Sequence, residues 1–163
     1  MARIMGRSMG LALLLVLTVS QPAAAQPAGD EPLRLTRTFL DAYARGDREP
    51  VLKLVDGDAI TVYGSDVAEV FHGRAELAAM LAADQRLWGG SASIGAMEHV
   101  TTIAEDGQES IFFDAPFSVG DRPPVTVRFC LVWRHRREGW RLVLSSNVVP
   151  TRGQSAAELL HER

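Results

Sequence analysis

Asp66, Asp114 and His99 in this 163-residue chain are side chains of a type that moves protons. Asp114 lies on a strand-like run, and Arg128 lies on the next, so the two can meet across adjacent strands. Inside a cavity, Asp114 would serve as a base and Arg128 would hold an anionic group. On an outer face the same residues form a cross-strand ion pair worth roughly 0.2–1 kcal/mol. Strand alternation favours the outer face. Arg128 is opposite in parity to Phe129, Leu131 and Trp133, and Asp114 alternates with Ile111, Phe113, Ala115 and Phe117, unless Pro116 marks a bulge that reverses it. Asp66 ends a Gly64-Ser65-Asp66 turn, where it is either a loop base or a bond to local backbone. His99 adjoins Glu98 on a strand, so their side chains point to opposite faces and do not pair. His72 stands at a turn before a helix, His135 at a strand end and His161 in the tail. No two histidines have metal-ligand spacing and there is no phosphate loop, so the expectation is no metal and no cofactor.

The longest ordered stretch runs from Val125 to Val149 and reads as two strands joined at Arg137-Glu138-Gly139. In the first strand Val125, Val127, Phe129, Leu131 and Trp133 share a face. In the second, Trp140, Leu142, Leu144, Ser146 and Val148 alternate with Arg141, Val143, Ser145 and Asn147. Two further long strands precede them, Ser93–Ile103 and Glu109–Val119, with Pro116 pointing to an edge or a bulge. Upstream, Asp30 and Pro32 open a helix whose stripe is Leu35, Phe39, Leu40 and Tyr43, and which Gly46 ends. A short helix follows with Val51, Leu52, Leu54 and Val55 inward, then short strands at Ala59–Tyr63 and Val67–Phe71. A third helix, Arg74–Trp88, carries Leu77, Met80, Leu81, Leu87 and Trp88. Three helices with a small hairpin followed by a meander predict an α+β fold: helices packed on one face of a strongly curved, mostly antiparallel sheet that leaves a conical cavity.

The first 25 residues read as a secretory signal: Arg3 and Arg7, an apolar run from Met9 to Val19, and Ala23-Ala24-Ala25 before the cut. The run falls short of the roughly 20 residues of a membrane span. The reading is therefore a periplasmic or secreted protein with no anchor after cleavage: signal 1–25, leader 26–31, one domain over 32–150 and a tail over 151–163. Cleavage removes two of 17 basic residues and none of 20 acidic ones, moving the net charge from −3 to −5. A mildly acidic domain without a basic block is a poor partner for nucleic acid or an anionic membrane. The single cysteine, Cys130, makes no internal disulfide and reads as a small buried residue.

Three pieces in this order, Phe39–Asp47 (FLDAYARGD), Ala59–Leu81 and Cys130–Pro150, resemble SnoaL-like and ketosteroid-isomerase-like proteins of the nuclear-transport-factor-2-like superfamily. The resemblance implies a cone-shaped fold that hosts enzymes, binding modules and association domains alike. It also places the isomerase's base at Tyr63 and its two oxyanion donors at Phe39 and Leu131, none of which has the required chemistry. Steroid isomerisation is therefore not expected. Relatives with a histidine on the last strand match Ser146. The resemblance sets Tyr63 at the cavity mouth, where its phenol either orients a ligand or is the rim of a core tyrosine.

The catalytic candidates are thus Tyr63, Asp66, Asp114 and His99. The expected cavity lining is Phe39, Tyr43, Tyr63, Trp88, Phe113, Phe129, Leu131, Trp133, Leu144 and Ser146. The expected ligand is a small, largely apolar molecule. The alternative is a non-catalytic accessory module that pairs as a homodimer through the mixed sheet face of Thr126, Arg128, Cys130, Val132 and Val143, as the resemblance implies.

Overall fold

The computed structural model describes residues 30–151 together with 153, 155, 157 and 158. The expected signal peptide, most of the 26–31 leader and part of the tail, His161 included, lie outside the described residues. Helix α1 (Asp30–Arg45) has Asp30 and Glu31 in its first turn and Arg45 in its last, both matched to the helix dipole. It buries Pro32, Thr36, Phe39, Leu40, Ala42 and Ala44. Helix α2 (Arg48–Leu54) buries Val51 and Leu52, and a 3₁₀ turn (Gly57–Ala59) leads to β1 (Thr61–Tyr63) and β2 (Val70–His72). Helix α3 (Gly73–Trp88) follows, with the His72 backbone N–H donating to Glu76 Oε2 at 2.6 Å. The remaining strands are β3 (Ala92–Ile94), β4 (Glu98–Glu105), β5 (Gln108–Val119), β6 (Val125–Arg136) and β7 (Gly139–Val148).

The strands form one sheet in the order β2-β1-β7-β6-β5-β3, with β4 also paired to β5. Only β1 and β7 run parallel; the other pairs are antiparallel. The three helices cover one face, which makes this an α+β fold. Between them and the sheet lies a core of Phe39, Leu40, Val51, Leu52, Ile60, Leu77, Leu81, Ile111, Phe113, Leu131, Trp133 and Leu142. Trp133 is wholly buried and its indole N–H donates to Thr36 Oγ1 on α1 at 2.8 Å, so the largest core residue is satisfied rather than orphaned.

Two departures from simple alternation matter for the site. The expected strand Ser93–Ile103 is two strands, because the chain bends at Gly95–Met97. At the bend the Gly95 N–H donates to the Pro116 carbonyl at 2.8 Å, and a Cβ on Gly95 would lie 2.4 Å from Pro116 Cγ. Proline has no N–H to offer β4 there, and only glycine lets the backbone pass its ring. The second departure is in β7. Val132 pairs with Leu144 but Trp133 pairs with Leu142, so Val143 is an extra residue, a β-bulge. Beyond it Ser145 and Asn147, not Leu144 and Ser146, face the helices.

Candidate functional site

Past the closed core, a cavity of about 250 Å³ opens between α1, α3, β1, β6 and β7. Its wall is largely apolar: Phe39, Val55, Ile60, Val62, Leu77, Met80, Phe117, Val127, Phe129 and Leu142. Two carboxylates, Glu69 and Asp84, and three smaller polar residues, Ser65, Ser145 and Asn147, interrupt it.

Helix spacing assembles the mouth. Phe39 and Tyr43 are one turn apart on α1, with parallel rings and centroids 6.2 Å apart. Asp84 and Trp88 are one turn apart at the end of α3, which stops at Gly89 in a left-handed conformation (φ 56°) that bonds back to the Gln85 carbonyl. Trp88 meets Tyr43 edge-on at 5.0 Å and Phe117 at 5.3 Å. The Tyr43 hydroxyl donates to Asp84 Oδ2 at 2.9 Å.

The electrostatics follow from that dry setting. Burial, and then the neighbouring Asp84, push the Tyr43 hydroxyl well above its ordinary value, so it is a neutral donor at physiological pH. Burial pushes the Asp84 carboxyl up, the Tyr43 hydrogen bond draws it part of the way back, and Glu69 adds to the rise. Glu69 enters from the β1–β2 loop, where its carboxylate accepts the Asp66 N–H at 3.0 Å. A carboxyl displaced toward neutrality, fixed by a phenol beside an apolar space, is suited to general acid–base work.

Of the expected lining, Phe39, Tyr43, Trp88 and Phe129 line the cavity and six residues do not. Phe113, Leu131 and Trp133 are shut in the core, where Phe113 stacks behind Phe129 at 5.0 Å. The Val143 bulge turns Leu144 and Ser146 to the outer face. Tyr63 is 45% exposed, because its neighbour Val62 takes the inward position on β1. The four candidate proton carriers lie outside the cavity wall as well. Asp66 accepts the Ala68 N–H at 2.8 Å as a turn residue. Asp114 holds Arg128 through two bonds, 2.8 and 3.1 Å, with His99 Nδ1 3.4 Å from its Oδ2. The Arg128 hydrogen bond holds Asp114 below the usual carboxylate range. Cys130, expected to be buried, is half-buried on that outer face, and burial pushes its thiol up.

The residues missed were Asp84 and Glu69. Asp84 carried a signal: Leu77, Met80, Leu81, Asp84 and Trp88 share a stripe at helical spacing, and a charge in an apolar stripe needs a partner. Glu69 carried none, being one of two acids in a short loop.

No family model matches the chain, and no curated protein matches its sequence. Solved structures do. A protein of unknown function from Pseudomonas putida KT2440, described as NTF2-like, aligns at 15% identity and TM-score 0.67 over 76% of this chain and 87% of its own. A proposed dehydratase of the same fold from Streptomyces avermitilis aligns at 17% identity and TM-score 0.65, over 74% and 94%. The fold is nuclear-transport-factor-2-like. A proposed ketosteroid isomerase from Parabacteroides distasonis shares it at 13% identity and TM-score 0.61, over 76% of this chain and 88% of that one. The three positions at which the sequence resemblance puts an isomerase's working residues are Tyr63, outside the wall, Phe39, in it, and Leu131, in the core. The shared fold carries no activity over to this chain, and any chemistry would rest on its own residues.

Proposed function

We propose that the chain is an exported protein that takes a small, largely apolar molecule into its cavity and moves a proton on it with Asp84, positioned by Tyr43. The observation that carries this reading is a single contact, Tyr43 hydroxyl to Asp84 carboxylate, in the wall of a largely apolar cavity. The dehydratase and isomerase names among proteins of this fold agree with proton transfer in such a cavity, and the chemistry is argued from Asp84.

The test is deuterium uptake from D₂O at the carbon beside the carbonyl of 1-indanone, a neutral bicyclic ketone. Asp84 as carboxylate takes the C–H proton while the electron pair passes to the enolate oxygen. The carboxyl exchanges that proton for a deuteron of the solvent, and the deuteron is returned to carbon as the carbonyl re-forms. Uptake should exceed that in buffer, and Asp84→Asn should lower it by about 10²-fold, within the usual range for a general base. Equal rates in the two proteins would end the acid–base reading.

A second reading, a module that pairs through its sheet, is favoured by one observation. A row running across the open face, Val70, Tyr63, Ser146, Cys130 and Phe112, leaves Val70, Tyr63 and Phe112 each about 40% exposed. The two readings are compatible, since the cavity lies on the opposite side of the sheet.

A further inference from the structure

The charge pattern of the cavity narrows "an apolar molecule" to a chemical class. Glu69 and Asp84 line it, and no arginine, lysine or histidine does. The ion pairs of the described residues use Arg34, Arg45, His99, Arg128, Arg136 and Arg137, and none reaches either of these carboxylates. Tyr43 satisfies only Oδ2 of Asp84. Two acids near one another against an apolar wall are held there at a cost that a cation would remove.

A second observation points into the same space. Ser145 is 5% exposed, lines the cavity and has no side-chain hydrogen bond among the described residues. Its hydroxyl opens onto the cavity, where a ligand's polar group would bond it. The aromatic cluster of Tyr43, Trp88 and Phe117 lies beside Asp84, and aromatic faces attract cations. A metal ion fits poorly. Hard cations such as calcium take six or more oxygen ligands, and no group of three or more potential ligating side chains occurs among the described residues.

We infer that the ligand is an organic cation, an apolar ring compound bearing a protonated amine that sits between Glu69 and Asp84. The inference rests on the cavity being the ligand site and adds the charge of what enters it. An anion of the same shape is disfavoured twice, by the two carboxylates and by the absence of a basic partner.

The test uses three probes of one shape and three charges: 1-aminoindane, 1-indanol and indane-1-carboxylate, each titrated calorimetrically into the protein at pH 7. The amine should bind about tenfold tighter than the alcohol, as a partly desolvated ion pair with an aromatic contact allows, and the carboxylate weakest. Glu69→Gln combined with Asp84→Asn should bring amine and alcohol together. If that variant does not fold, the unaltered protein decides the point: added salt should weaken the amine but not the alcohol. Alcohol binding as tight as the amine, or a tighter carboxylate, overturns the charge inference and leaves the apolar cavity standing. Amine preference that survives both substitutions and salt overturns it too. Failure of all three probes to bind overturns the inference and the cavity reading together.

Discussion

Glu109 and Asp84 are both acids among apolar neighbours, and they are disposed differently. Glu109 lies on the core face of β5 opposite Trp133, fully buried, and neither carboxylate oxygen has a hydrogen-bond partner. Burial raises its carboxyl pKa. A carboxyl raised in the folded state leaves stability intact below the unfolded value, near 4.3 for glutamate, and lowers it as pH rises toward the folded value. Glu109→Met should therefore stabilise the protein at pH 7 by about 1–3 kcal/mol, with the gain shrinking as the pH approaches about 4. Denaturant unfolding at the two pH values checks this, and a gain that grew in acid would contradict it. Asp84 has what Glu109 lacks: a donor in Tyr43 and an open space beside it. That difference makes one a strain on the core and the other a candidate for chemistry.

At the scale of elements, the helices and long strands were legible because their apolar residues recur at the right period. Leu35, Phe39 and Tyr43 and the Val127-to-Trp133 series mark faces that the fold keeps. What was not legible turned on one residue in each case. The Val143 bulge leaves no mark in an alternating string of Leu142, Val143 and Leu144, all apolar, yet it exchanges Leu144 and Ser146 for Ser145 and Asn147 at the cavity. Pro116 did signal an irregularity, but its consequence falls on the neighbouring strand, which bends at Gly95 and divides into β3 and β4. Tyr63 shows the same limit on a short strand: three residues of β1 give too little alternation to fix which side is inward. The one charged residue of the α3 stripe, Asp84, was readable from spacing. Its partner Tyr43 was not, because the contact joins positions 41 residues apart.

For the whole molecule, the sheet divides two surfaces of different character. The helix side encloses the cavity. The other side leaves Phe112 38%, Tyr63 45% and Val148 49% exposed around the Asp114–Arg128 pair. The proposed pairing through the sheet would use these exposed apolar groups as its contact. Sedimentation should give the mass of a dimer, Phe112→Glu should give a monomer, and a wild-type monomer at high concentration would remove the second reading. The proposed chemistry stands on Asp84 being a perturbed acid at a cavity that a ligand fills. The most direct measurement is the titration of the Asp84 side-chain carboxyl by carbon NMR, alone and saturated with 1-indanol. The expected midpoint lies above the ordinary aspartate value near 3.9 and rises further when the neutral ligand displaces water, because desolvation disfavours the charged form. An ordinary midpoint that the ligand leaves unmoved would contradict it.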